Sequence, residues 1–420
     1  MRRKLVTGLL ALGVLAYGAD APASGGGSVL QQASLSGSSD SFFGYSVAVD
    51  GNTAVMGAWN DAGGNGAAYV YVRSGTTWTQ QQELTASDGA SGDKFGYAVA
   101  VSGNTALIGA GNKASGQGYV YAFTRSGTTW AQAAEFTSSN GAASDCFGCA
   151  VAVSGTSAFV GAPGKLGNTG AAYAFTSSGT SWTQVGNGFG GQASDAYFGF
   201  SVALSPDATT AVAGAFGANS STGDAYVFTQ SAGSWSQQAV LASSDGATGD
   251  NFGYSVSAGS GSILVGAYAN GGKGAAYYFT GSGASWSQQS KLLASDGASG
   301  DYFGYAVALS GNTAVVGAYD KSSTGGPGEA YVFTGSGSSW SQQILSPQGA
   351  YFGNAVAASG TTAVVGALAG YSGEVAIYAP STVVTPAPAL GDKVALLAIA
   401  LLAAGCALFR ARPGQGGLAL

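Results

Sequence analysis

The chain contains no histidine. Ser-His and Cys-His nucleophile pairs therefore have no base, and the commonest nitrogen ligand for metals is missing. Charge is scarce as well. Asp, Glu, Lys and Arg make up 8% of the residues, against about a quarter in an ordinary globular chain. Residues 24–380 hold 18 acidic and 8 basic side chains, a net of −10, and their only arginines are Arg73 and Arg125. Such a surface cannot line a phosphate backbone, which argues against nucleic acid as a partner. Cysteine is nearly absent. Cys146 and Cys149 form one CxxC without a second pair, so a zinc site lacks ligands. Cys149 reads as a small apolar filler in a strand, with a local disulfide or redox motif as the alternative.

What the chain has instead is glycine and repetition. Gly accounts for 72 of 420 residues, spread among short runs of Tyr, Phe, Trp and Val, so the chain is not a disordered low-complexity one. Phe-Gly recurs at seven regularly spaced positions, with its glycine at 44, 96, 148, 199, 253, 304 and 353. A Gly-Ala pair follows each, from Gly57-Ala58 to Gly366-Ala367. Seven units at a period near fifty mark a repeat array, which overrules the two or three domains that length alone suggests.

Within one unit, residues 95–101 alternate large and small, as in an inner strand squeezed between neighbours. Residues 102–105 turn tightly through Gly103-Asn104, and residues 106–110 are apolar on both faces, as a buried strand should be. Residues 118–124 and 129–136 supply a third and a fourth strand, the last carrying Trp130. Six fourth strands are marked by Trp78, Trp130, Trp182, Trp235, Trp286 and Trp340, whereas the last unit ends without one. Residues 29–35 (VLQQASL) share the Gln-Gln-x-x-Leu part of that strand and precede the first Phe-Gly. The expected fold is all-β: a seven-bladed β-propeller of four-stranded antiparallel blades over residues 27–380, closed by an N-terminal strand that removes two free sheet edges.

The ends read differently. Arg2, Arg3 and Lys4 precede an apolar run (residues 5–19) and then small residues, a secretory signal over residues 1–23. Residues 381–392 form a Pro/Ala linker. An apolar helix follows over 393–412 with Arg410 and Arg412 at its end, then a tail over 413–420. This end resembles the C-terminal sorting signals of Gram-negative surface proteins, nearest to the IPTL type, through Pro388-Ala389-Leu390-Gly391. The expected location is the cell surface, outer envelope or exterior, with membrane anchoring through the C-terminal helix unless it is cleaved.

The Phe-Gly…Gly-Ala-(Pro) pattern, complete once at Gly161-Ala162-Pro163, resembles the FG-GAP repeats of the integrin α-subunit propeller and its bacterial cell-surface relatives. The resemblance implies a calcium loop in the first hairpin. Here that hairpin is only Asp50-Gly-Asn-Thr or Ser102-Gly-Asn-Thr, too few oxygens for calcium. The repeated DGAxGD loops read as turn capping by the carboxylates. No metal site and no cofactor are expected, weak calcium binding by these loops being left open. The Ser-Gly-Thr-Thr-Trp hairpins lack the Asp of a sialidase Asp-box, and no carboxylate pair stands out for glycosidase chemistry.

The chain is thus read as a non-enzyme. The second-to-third strand loops vary most and share a face with the DGAxGD loops, and loops on a rigid scaffold are the usual home of binding. Trp59, Asp61, Tyr268, Tyr319, Asp320 and Lys321 lie there and are the candidate ligand-binding residues. The expected function is adhesion or interaction with an extracellular protein or glycan through this face. A passive structural envelope protein and a glycan-active enzyme are the alternatives.

Overall fold

A computed structural model of the chain describes residues 29–39, 41–191, 196–321, 326–345, 350–368 and 372–380. The signal segment, the linker and the apolar C-terminal run lie outside the described residues. Among those described, no helix is long and apolar enough to cross a membrane.

The strands form seven four-stranded antiparallel sheets. In the first blade, Phe43–Asp50, Thr53–Ala58, Ala67–Ser74 and Thr77–Leu84 follow one another outward from the axis. The second strand is buried along its whole length in six blades, and in blade two only its first residue, Thr105, is half-buried, because sheets cover both of its faces; Thr53–Ala58 and Thr313–Ala318 accordingly read as unbroken small or apolar runs. The seventh blade takes its inner three strands from residues 355–380 and its outer strand from Val29–Ser36, paired beside Glu374–Pro380. The two ends of the propeller are thereby locked into one sheet. Gln343 of blade six holds the start of that closing strand through both backbone groups of Val29, at 2.9 and 2.8 Å.

Blades pack through the repeated motif itself. Every motif phenylalanine, such as Phe95, Phe252 and Phe303, is wholly buried between its own blade and the one before. Phe95, Ile108, Tyr121 and Trp130 of blade two interleave with Val55, Val70 and Leu84 of blade one. The Phe95 amide bonds the Asn65 carbonyl of the preceding blade at 3.1 Å, and Phe252 and Phe303 repeat the bond to Thr222 and Lys273. The Gly of each Gly-Ala then meets the backbone of the next blade. A Cβ on Gly266 would overlap the carbonyl oxygen of Gly304, and one on Gly366 would overlap that of Gly44, where blade seven meets blade one. Facing glycines set the spacing between blades.

On the short-turn face, the two arginines are spent on the same job. Arg125 stacks over Trp130 at 5.0 Å and bonds Thr53 of blade one at 2.9 Å. Arg73 stacks over Trp78 at 5.4 Å and bonds Thr362 of blade seven at 2.9 Å, a second lock across the closure.

The glycine spacing generates a test. Gly266→Ala should cost about 3 kcal/mol or more in chemical denaturation, because the obstructing atom is backbone and cannot rotate away. Gly190→Ala, at an extended position with open space around it, should stay within about 0.5 kcal/mol of the parent. Equal costs would refute the close-approach account.

Candidate binding site at the channel mouth

Each blade enters the ring through one turn. The residue before Phe is left-handed (Lys94 φ 60°, Tyr302 φ 56°), and so is the Gly after it (Gly96 φ 88°, Gly304 φ 91°). The next amide closes the turn, Tyr97 onto Lys94 at 3.1 Å and Tyr305 onto Tyr302 at 3.2 Å. Pairing with the second strand then jumps from Phe95–Ala110 to Ala98–Gly109, so Gly96 and Tyr97 form a bulge. Through it, the residue after each Phe-Gly reaches the central channel at its loop-face end.

Those residues are Tyr45, Tyr97, Phe200, Tyr254 and Tyr305, interrupted by Cys149 in blade three and Asn354 in blade seven. They surround a cavity of about 560 Å³. Tyr45 and Tyr97 lie 4.9 Å apart between ring centres, Phe200 and Tyr254 4.8 Å, and Tyr254 and Tyr305 4.9 Å. Burial, then the neighbouring tyrosines, push the Tyr45 and Tyr254 phenols far above their ordinary range. They stay protonated, with the Tyr97 and Tyr305 rings beside them. Among the described residues, those lining the cavity carry no charged side chain.

A second aromatic tier backs the first. It comes from the residue after Gly-Ala, aromatic in four blades as Trp59, Phe216, Tyr268 and Tyr319, three of which are sequence candidates. Trp59 stacks on Phe42 at 4.7 Å and stands edge-on to Tyr45 at 6.0 Å, with the Lys94 ammonium 4.9 Å over its ring. Tyr268 packs on Tyr254 at 4.6 Å, and Tyr319 on Tyr305 at 4.2 Å. Burial and the surrounding tyrosines push the Tyr319 phenol up to about 12. The structure does not bring the charged candidates into the cavity. Asp61 accepts from the Tyr69 hydroxyl and, at 2.8 Å, from the Ala62 amide of its own loop. Lys321 is ion-paired with Asp296 (3.0 Å), Asp301 (3.1 Å) and Glu329 (3.3 Å). Asp320 is half-buried between Tyr319 and Lys321 in sequence. The inner tier escaped the sequence reading. Its signal was the column of residues one past Phe-Gly, five of seven aromatic, set among glycines and alanines.

The cysteine reading is corrected. Cys149 is no isolated filler: it is disulfide-bonded to Cys146, and both line the mouth. The left-handed turn at Cys146 (φ 57°) folds the CxxC back on itself, leaving the two Cα atoms 5.5 Å apart.

The DGAxGD carboxylates are consumed by structure. The second acid of each loop caps its own turn, Asp93 accepting from Ala90 N–H at 3.0 Å and Asp301 from Ala298 N–H at 2.8 Å. The first acid reaches the following blade, where Asp88 accepts from Tyr121 (2.7 Å) and Lys113, and Asp245 from Tyr277 (2.7 Å) and Lys291. Asp145 and Lys165 make a buried pair at 2.7 Å. Among the described residues, no three His, Cys, Asp or Glu groups converge as a metal site would need.

Two outcomes follow from these struts. Lys165→Met should destabilise by about 3–5 kcal/mol, since it leaves the Asp145 charge buried alone, and adding Asp145→Asn should recover much of that loss in urea melts. The Lys113 ammonium, then the Tyr121 hydroxyl, hold the Asp88 carboxyl below the usual aspartate range. A depressed folded pKa stabilises fully above the unfolded value of about 3.9 and is lost as pH falls through the folded one. Asp88→Asn should therefore lower the melting temperature at pH 6 and converge with the parent near pH 2. A difference that persists unchanged at pH 2 would refute the assignment.

Comparison with known proteins agrees with this architecture. No curated protein matches the chain. Among solved structures, a chain from the "Crystal Structure of Mitotic Checkpoint Complex" superposes with a TM-score of 0.55 at 12% identity, covering 87% of this chain and 99% of that one. At that identity the likeness shows the fold alone. The FG-GAP repeat pattern matches residues 33–71, 78–123, 130–175, 235–279 and 286–333, together just over half of the sequence. With seven such units closed into a ring, the chain belongs to the FG-GAP repeat family.

Proposed function

We propose that this propeller acts by binding, as an adhesion or interaction module of the cell surface or exterior, and that the partner engages the loop face over the channel mouth. The observation that carries the reading is the uncharged aromatic cavity itself, open on the face where the variable loops gather. Concave, largely apolar walls with a few polar groups are what ligand sites offer. Among the described residues, its walls hold no carboxylate, ammonium or guanidinium to act as acid, base or electrostatic catalyst, which favours binding over turnover. At the rim, Leu166 is 78% exposed and left-handed (φ 51°). An apolar side chain held in water by a strained backbone suits a contact surface.

Masking either face checks the reading. In a Cys406→Ser background, Leu166→Cys and Ser338→Cys place a single polyethylene-glycol maleimide on the loop face and on the short-turn face. Capture from arrays of envelope proteins and glycans should be lost with the first label and kept with the second. The reverse pattern would move the binding surface to the other face.

A further inference from the structure

We infer that the channel mouth is a subsite for the end of a neutral saccharide. The inference rests on the binding role just described and gives that site its ligand chemistry.

Charge selects first. Among the described residues, the walls hold no side chain to neutralise an anion or a cation, and stripping water from an unpaired charge costs several kcal/mol. Aromatic faces attract cations, but the Lys94 ammonium already sits 4.9 Å over Trp59 at the rim. A second cation would enter against that fixed charge. A neutral occupant is left.

The polar groups select next. A purely apolar ligand would leave them without partners. Burial holds the Tyr45, Tyr254 and Tyr305 phenols above their ordinary range, so these hydroxyls stay protonated and keep hydrogens to donate to a ligand. Asn354 gives its amide NH₂ to the Tyr45 carbonyl at 3.2 Å, while its carbonyl oxygen is buried with no donor. That oxygen faces Gly366 inside the seam between blades seven and one, so the outward selection falls to the tyrosine hydroxyls. The ligand must therefore combine flat C–H surface for the rings with several hydroxyls for their edges. A pyranose has both: axial C–H groups on its faces and hydroxyls around its rim.

Size and shape complete the argument. A volume of about 560 Å³ falls within the usual 300–1,000 Å³ of small-ligand pockets. The tyrosines are ranged around the blade axis instead of along a groove, so the mouth accepts a chain terminus and not the middle of a polymer.

The test is calorimetry and saturation-transfer NMR on the full chain with maltotriose, cellotriose and chitotriose, beside trigalacturonate and tetramethylammonium. At least one neutral trisaccharide should bind, with both charged probes inert. Tyr254→Leu and Tyr97→Leu keep the bulk but lose the flat face and hydroxyl, and each should weaken binding about tenfold or more, with unchanged circular dichroism showing that the ring still forms. A wild-type chain that binds only trigalacturonate or tetramethylammonium would overturn the inference, as would neutral binding untouched in both variants. Silence of every neutral probe, with a protein still captured on the loop face, would remove the saccharide and leave the interaction role standing. Silence of the probes and of the loop-face capture together would remove both.

Discussion

The close approach of two glycines at each blade boundary is the constraint on which this ring depends. The Gly of Gly-Ala has no side chain because the carbonyl of the next Phe-Gly occupies that space. The Phe of that same dipeptide fills the gap above, and its amide ties it to the previous blade's loop. One contact therefore fixes both the distance and the register of neighbouring blades. It recurs at Gly366 and Gly44, so blade seven meets blade one as any neighbours do. Seven such contacts bring the last blade back onto the first. The N-terminal strand and the Arg73–Thr362 bond fasten a ring whose geometry the glycines already set.

The same motif builds the mouth. Because the turn through Phe-Gly is left-handed on both sides of the phenylalanine, it throws the following side chain toward the axis. Because the second strand ends at Gly-Ala beside that turn, the residue after it stands just behind. Each repeat thus presents one inner side chain, and every repeat but the second, where the place falls to Gly111, an outer one. Tyrosine fills the inner place in four blades, and the disulfide and Asn354 are the two exceptions that break the circle. The scaffold determines where these side chains stand, and the sequence at two columns determines what they recognise.

Much of this was legible in the sequence. The period gave the blade count, the six outer tryptophans and the stray strand at Val29 gave the closure, and the turn-capping role of Asp93 and Asp301 follows from Asp three residues after a turn amide. The binding candidates were harder to see. Asp61 and Lys321 stand in variable loops, where exposure is the natural assumption. Their partners Tyr69 and Asp296 come from a strand and from the loop before the blade, contacts that no local pattern records. Tyr97 was hidden by the bulge. Simple alternation placed it on the face of Val99 without saying that this face was the channel wall. The CxxC was misjudged for a similar reason, since only the left-handed turn at Cys146 brings its sulfur back to Cys149.

The distribution of charge links the stability of the ring to the chemistry of its mouth. With so few ionisable groups, each pair counts, and they sit where blades must be held together at the periphery of the loop face. Asp88 with Lys113, Asp245 with Lys291 and Asp296 with Lys321 each join an inter-blade loop to the blade that follows. A tyrosine hydroxyl from the third strand completes each cluster, satisfying the carboxylate and lowering the cost of bringing it out of water. Charges committed there are unavailable at the axis, where the described walls are left to rings, hydroxyls, a disulfide and two amides. The neutrality of the mouth is thus a consequence of how a nearly uncharged chain holds its blades together, and it restricts what the mouth can bind as firmly as its shape does.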